Sequence, residues 1–295
     1  MSFELYGVYP PIVTPFVDGE ISFEKLSKNV QKWNDTGLAG LVVMGSNGEF
    51  PHLTETEQME VVGRVNQVLA DDKKLIVGTG TPATHGTISR TELAADAGAQ
   101  AVMVIPPYYY RPRMGYDELR SHYIEVADSS PVPVILYNMP SFAGIDLNVG
   151  LIVELSNHPN IIGIKDSSGN VTKMSSCVIQ TSDDFRVMAG SGSYFLPALL
   201  MGCSGGVMAL ANVAPEECVE LYEMAQDGRW EEAAQLQKKL VSVNQALTAK
   251  YSIPGLKYAL QLRGYFGGKP RRPLLPINEE AREHIENILK NANLI

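Results

Sequence analysis

Short runs of β-branched and apolar residues recur eight times along this 295-residue chain, each followed by a segment with helix signals. The runs lie at 6–13 (YGVYPPIV), 40–44 (GLVVM), 75–78 (LIVG), 101–105 (AVMVI), 133–137 (PVILY), 161–165 (IIGIK), 186–189 (RVMA) and 205–210 (GGVMAL). Continuous apolar runs, as opposed to alternating ones, are expected of strands covered on both faces, as in a parallel sheet. Pro10 and Pro11 cannot donate to a ladder, so the first run predicts the least regular strand. Between runs, Thr54 and Glu57 make a capping box ahead of MEVVGRVNQVL, and Gly98 stands where a helix is closed by glycine. Eight strand–helix alternations without a break in composition predict a (β/α)8 barrel over residues 1–212. A doubly wound open sheet is the other arrangement with this alternation. Past residue 212 the strands stop, and 213–295 is predicted to be a helical extension packed on the barrel, its turns marked by Gly228, Pro254, Gly267, Gly268, Pro270 and Pro273.

Composition excludes several function classes. With 45% hydrophobic and 19% charged residues the chain is expected to fold into a packed domain. A net charge of −9 argues against nucleic acid or an anionic membrane as partner, since phosphate neutralisation needs clustered Lys and Arg. No stretch approaches the roughly 18 uncharged apolar residues of a membrane span. The start, MSFELYGVYPP, lacks the basic and apolar regions of a signal peptide. Cys177, Cys203 and Cys218 are odd in number and form no Cys-x-x-Cys, which fits a reducing compartment, the cytoplasm. His52, His85, His122, His158 and His284 are scattered and form no ligand motif, so no metal is expected. There is no G-x-S-x-G elbow, and Gly78-Thr79-Gly80 falls short of the dinucleotide fingerprint.

Polar residues and glycines gather where the runs end, the face on which barrel enzymes build their sites. Lys165 closes the run IIGI. Burial beside apolar walls disfavours an ammonium over a free amine, and the free amine is the form that attacks a ketone to give a Schiff base. The ordinary alternative is a lysine that snorkels to solvent or pairs with Asp166. Tyr137 closes the preceding run, where a phenol can shuttle protons; the alternative is a core tyrosine with its hydroxyl on a carbonyl. The loop Gly45-Ser46-Asn47-Gly48 can turn successive backbone N–H groups toward an anion such as a carboxylate, with the Ser46 hydroxyl joining a relay to Tyr137.

Taken in order, GSNGE, YYYR, LYNMP, GIKDSSGN and GGVMALANVAPE resemble the dihydrodipicolinate synthase/N-acetylneuraminate lyase superfamily over nearly the whole chain. GSNGEFPHLT, YYRPRM, IIGIKD, ALANV and IPGLK are most similar to its 4-hydroxy-2-oxoglutarate aldolase branch. The resemblance implies a cofactor-free aldolase that joins pyruvate, or a pyruvate-derived 2-keto acid, to Lys165. Tyr137 would transfer protons, and the amides of Ser46 and Asn47 would hold the pyruvyl carboxylate. Gly48, Gly190 and Leu210 are further expected substrate-binding positions. Tyr109 would reach into a neighbour's site in a homodimer or homotetramer. Phe142 stands where synthases of the superfamily usually carry an arginine for the second substrate's carboxylate, and a phenyl ring offers no such fork. The expected reaction is therefore cleavage of a 4-hydroxy-2-keto acid to pyruvate and an aldehyde. The alternatives are dihydrodipicolinate synthase, an aldolase for a 2-keto-3-deoxy sugar acid, and a non-catalytic sensor on the same barrel.

Overall fold

The eight apolar runs become eight strands: β1 Gly7–Tyr9, β2 Gly40–Val43, β3 Lys74–Gly78, β4 Ala101–Val104, β5 Val134–Asn138, β6 Ile161–Asp166, β7 Arg186–Ala189 and β8 Gly205–Val207. They come from a computed structural model that describes residues 3–295. All ladders among them are parallel, in the order β1-β8-β7-β6-β5-β4-β3-β2. The two ends of that order meet across the prolines. Pro11 bridges Val42, the Val42 N–H donates to Pro10 O at 3.0 Å, and the Ile12 N–H donates to Val42 O at 2.9 Å. A proline lacks a donor but keeps its acceptor, so this seam is stitched from the carbonyl side. The sheet therefore closes into a barrel, and the open doubly wound sheet does not form.

Helices α1 Phe23–Asn34, α2 Glu55–Val68, α3 Thr84–Asp96, α4 Tyr116–Ser129, α5 Val149–Leu155, α6 Val171–Gln180, α7 Phe195–Leu200 and α8 Pro215–Gln226 follow the strands in turn. The Thr54–Glu57 capping box starts α2, with the Thr54 N–H on the Glu57 carboxylate at 2.8 Å. Gly98 follows α3 at φ +106°, and a Cβ there would meet the Asn66 side chain at 2.1 Å, so both backbone and packing require glycine. Two segments depart from the sequence reading. The last run stays extended only to Val207, and Ala209–Asn212 coil into a 3-10 turn, since apolar continuity does not distinguish a buried strand from a buried turn. Between β1 and α1 an antiparallel pair, Phe16–Val17 with Glu20–Ile21, turns on Asp18 (φ +50°) and Gly19 (φ +88°). Asp-Gly is the residue pair that such a two-residue hairpin favours.

The remaining chain is helical: α9 Trp230–Gln245, a single π-turn Ala246–Lys250, α10 Ser252–Leu262 and α11 Glu279–Asn291. One of its ties to the barrel is electrostatic. On α10, Lys257 is fully buried, with its Nζ 2.5 Å from the Glu49 carboxylate, itself 1% exposed, and 4.4 Å from the Phe16 ring centroid. Burial pushes the Lys257 amine down to about 8, against the pull of Glu49. The other Glu49 oxygen accepts the Arg271 N–H at 2.8 Å. Removing one partner of a buried pair strands a charge at a cost of about 3–5 kcal/mol, whereas removing both is far milder. Lys257→Met and Glu49→Gln are each expected to lower unfolding free energy in urea by about that amount, and the double variant by much less than their sum. Additive losses would show that the pair is not coupled.

Candidate active site

Successive strand residues face opposite sides, and the β5–β6 register sorts four functional-looking residues by this rule. Tyr137 lies beside Lys165, and Asn138 beside Asp166. The first two turn toward the mouth of the barrel. Lys165 is 4% exposed, and its Nζ stands 4.1 Å from the Tyr137 ring centroid. The second two turn outward toward the helices. Asn138 donates to Asp166 at 2.9 Å and to Asp146 at 2.8 Å, and its carbonyl accepts the Leu147 N–H at 3.0 Å. Asp166 also accepts the Ser168 N–H at 2.8 Å and lies 3.5 Å from the Lys173 amine, which pairs with Asp146 as well. Asp166 is thus engaged away from its neighbour, and the Lys165 amine has no ion pair or hydrogen bond among the described residues. The reading of Lys165 as a strand-end lysine paired with Asp166 fails on this geometry.

The loop after β2 approaches from the other side. Ser46–Gly48 form a 3-10 turn whose first bond runs from the Gly48 N–H to Gly45 O at 3.0 Å. The amides of Ser46 and Asn47 precede that bond and find no acceptor within the turn. Two non-glycine residues in left-handed backbone bracket the loop, Met44 at φ +56° and Glu49 at φ +59°. The Ser46 hydroxyl sits 3.5 Å from the Tyr137 hydroxyl, in contact but long for a hydrogen bond between hydroxyls. Gly48 is buried, its carbonyl accepting from Thr14 at 2.7 Å.

A cleft of about 500 Å3 runs between these groups, with Ser46, Asn47, Tyr137, Lys165 and Gly190 in its wall. Gly190 lets β7 close on β6: its N–H donates to Asp166 O at 2.8 Å, and a Cβ would stand 2.0 Å from the Ser167 hydroxyl. Three of the expected positions lie outside the wall. Gly48 supports the loop from behind. Leu210 is 1% exposed and packs under Gly192, leaving Ala209 to line the cleft. Tyr109 is 70% exposed, its ring edge-on to Tyr110 with centroids 5.0 Å apart. Gly78 and Gly80 serve packing: Cβ atoms there would stand 2.3 Å from Met44 O and 2.7 Å from the Ile105 N–H nitrogen.

The sequence reading missed the wall farthest from β2. Ser167 and Ser191 come from the strand ends, and Leu247, Thr248 and Ser252 from the π-turn and the start of α10. Buried Asn244 on α9 fixes this corner, donating to the Ser191 and Ser193 hydroxyls at 2.9 and 2.8 Å. Tyr194 closes the floor with its hydroxyl on Asp166 O at 3.0 Å, and burial pushes its phenol pKa up. Ser167 was within reach of the alternation rule, two residues beyond Lys165. The helical residues carry no motif that marks them.

The sequence matches the model of the Dihydrodipicolinate synthetase family over residues 4–292. It is 38% identical over 282 residues to a probable mitochondrial 4-hydroxy-2-oxoglutarate aldolase of Emericella nidulans, covering 93% of this chain and 91% of that one. It is 35% identical over 301 residues to an L-threo-3-deoxy-hexylosonate aldolase of Hypocrea jecorina, covering 97% and 95%. The crystal structure of a dihydrodipicolinate synthase from Bacillus anthracis superposes with a TM-score of 0.94 at 34% identity, covering 98% of this chain and 99% of that one. The barrel, the ordered motifs and these matches agree: the chain belongs to the dihydrodipicolinate synthetase family and is an enzyme of the aldolase/lyase kind.

Proposed function

We propose that this enzyme cleaves a 4-hydroxy-2-keto acid, such as 4-hydroxy-2-oxoglutarate, to pyruvate and an aldehyde through a Schiff base on Lys165. The observation that carries the reading is the side-by-side pairing of Lys165 and Tyr137 at the cleft, with Asp166 held elsewhere. The substrate carboxylate rests on the Ser46 and Asn47 amides. The Lys165 amine adds to the C2 carbonyl, and the carbinolamine loses water to an iminium with proton help from Tyr137. Tyr137 then takes the C4 hydroxyl proton as the C3–C4 bond breaks. Those bonding electrons pass into the iminium to form an enamine, and the aldehyde departs. Protonation at C3 and hydrolysis by water release pyruvate and the free lysine. Exposed Tyr109 completes the relay in the site of a second copy.

A second reading, a 2-keto-3-deoxy sugar acid as substrate, is favoured by the hydroxyls of Ser167, Ser191, Thr248 and Ser252 on the far wall. Condensation with aspartate semialdehyde is disfavoured by Phe142, which lines the cleft where a guanidinium would be wanted.

Three measurements follow. Borohydride reduction in the presence of pyruvate is expected to label Lys165 by peptide mass mapping and to leave Lys165→Arg unlabelled. Tyr137→Phe should still label while its turnover drops by about 10²–10⁴. A label on a different lysine, or none, removes the Schiff-base reading. On kcat/KM, cleavage of 4-hydroxy-2-oxoglutarate should exceed both sugar-acid cleavage and condensation with aspartate semialdehyde; either rival being faster reassigns the substrate. Mixed dimers of Tyr109→Phe and Lys165→Ala chains should regain activity at a fraction of their sites. A verified heterodimer with no recovery would show that Tyr109 does not act across an interface.

A further inference from the structure

A dicarboxylic substrate leaves one charge unaccounted for. Of its two carboxylates, the Ser46 and Asn47 amides hold the one beside the ketone. The other leaves with the aldehyde, and Lys165 is the only charged residue in the cleft wall among the described residues. Lys165 is committed to the imine. Serine and threonine hydroxyls can donate single hydrogen bonds to a carboxylate, but a charged fork binds it about twice as strongly and in a fixed orientation. The β5 turn, which begins at Pro140, offers no cation: it presents Ser141 and Phe142 to the cleft.

A cation nevertheless lies against that turn, brought from the neighbouring strand end. Arg111 opens a 3-10 turn after β4, and its side chain lies flat on Gly144. The contact is close: a Cβ on Gly144 would stand 2.4 Å from Arg111 Nη1 and 2.5 Å from Arg111 Cδ. Gly144 sits at φ +65° directly after the Pro140–Ala143 turn, two residues past Phe142. With no side chain at 144, the arginine rests directly against the backbone of the turn. The Arg111 guanidinium has neither a carboxylate partner nor a side-chain hydrogen bond among the described residues, and it is exposed. Arg113, at the end of the same turn, is exposed as well but is not among the atoms against Gly144, and Arg120 is tied to Glu154.

We propose that Arg111 is the specificity-determining residue for the distal carboxylate, reaching it over Gly144 from the β4 end in place of a cation on the β5 turn. The proposal rests on the aldolase reading above and deepens it to a dicarboxylic substrate. An arginine that comes to the carboxylate from the β4 side makes Phe142 compatible with a second carboxylate.

The test compares kcat/KM for 4-hydroxy-2-oxoglutarate with that for 4-hydroxy-2-oxopentanoate, which carries a methyl group in place of the distal carboxylate. In Arg111→Gln the dicarboxylate-to-monocarboxylate ratio is expected to fall about 10–100-fold, the loss of a hydrogen-bonded charge. Arg111→Lys should fall between, since an ammonium keeps the charge and loses the fork. Added salt should narrow the ratio in the wild type and leave it flat in Arg111→Gln. An unchanged ratio in Arg111→Gln, or a wild type with no preference for the dicarboxylate, overturns the proposal. Borohydride labelling of Lys165 by pyruvate separates this failure from a wider one: label present with the ratio unmoved rejects Arg111 alone, and label absent in the wild type rejects the Schiff-base reading with it.

Discussion

The buried pair of Glu49 and Lys257 joins the loop after β2 to the helix whose start walls the cleft on the opposite side. Glu49 ends the Ser46–Gly48 turn in left-handed backbone, and Met44 enters the same loop in that conformation. Each such non-glycine residue costs on the order of 1–3 kcal/mol and persists only where its surroundings hold it. Glu49 is held by an ion pair with no exposed atoms on either side chain, by the Arg271 N–H and by the packing of Phe16 beneath the amine. The free amides of Ser46 and Asn47 are therefore positioned by a helix more than 200 residues further along the chain. A loop of glycine and asparagine left to itself would sample many shapes. Tied at Glu49, it presents one.

The adjacency of Lys165 and Tyr137 depends on a different constraint, the two-residue period of a strand. Tyr137 and Lys165 share the inner face because their strands run parallel in register, and the same register sends Asn138 and Asp166 together to the outer face. Those outer residues then satisfy one another and Lys173, so a carboxylate adjacent in sequence to the lysine exerts its pull elsewhere. A slip of one residue in β6 would put the carboxylate at the mouth and the amine among the helices.

Local sequence made the barrel legible because eight apolar runs of strand length leave few ways to cover both faces. It made Lys165 and Tyr137 legible because strand ends are where a barrel meets solvent. The Asp18-Gly19 hairpin was legible and overlooked, a turn signal hidden between a proline-rich strand and a helix. Glu49 and Lys257 were visible only as letters within motifs, since no local pattern links residues so far apart in the chain. The far wall was illegible for a related reason. Thr248 and Ser252 are ordinary helix residues by composition, and what makes them face the cleft is the packing of α9 and Asn244 against the β7 loop. Gly190, an expected substrate-binding position, does lie in the cleft wall, and it is also demanded by packing, since a Cβ there would stand 2.0 Å from the Ser167 hydroxyl.

The π-turn at Ala246–Lys250 couples the far wall of the cleft to the buried ion pair. A helix advances about 100° per residue, so one residue more or fewer in that turn swings every following side chain to a new bearing. The swing would turn Ser252 away from the cleft and carry Lys257 off Glu49, while β5 and β6 stay where they are. A one-residue change in that turn therefore reaches the Ser46–Gly48 turn as well as the far wall, because both hang on α10.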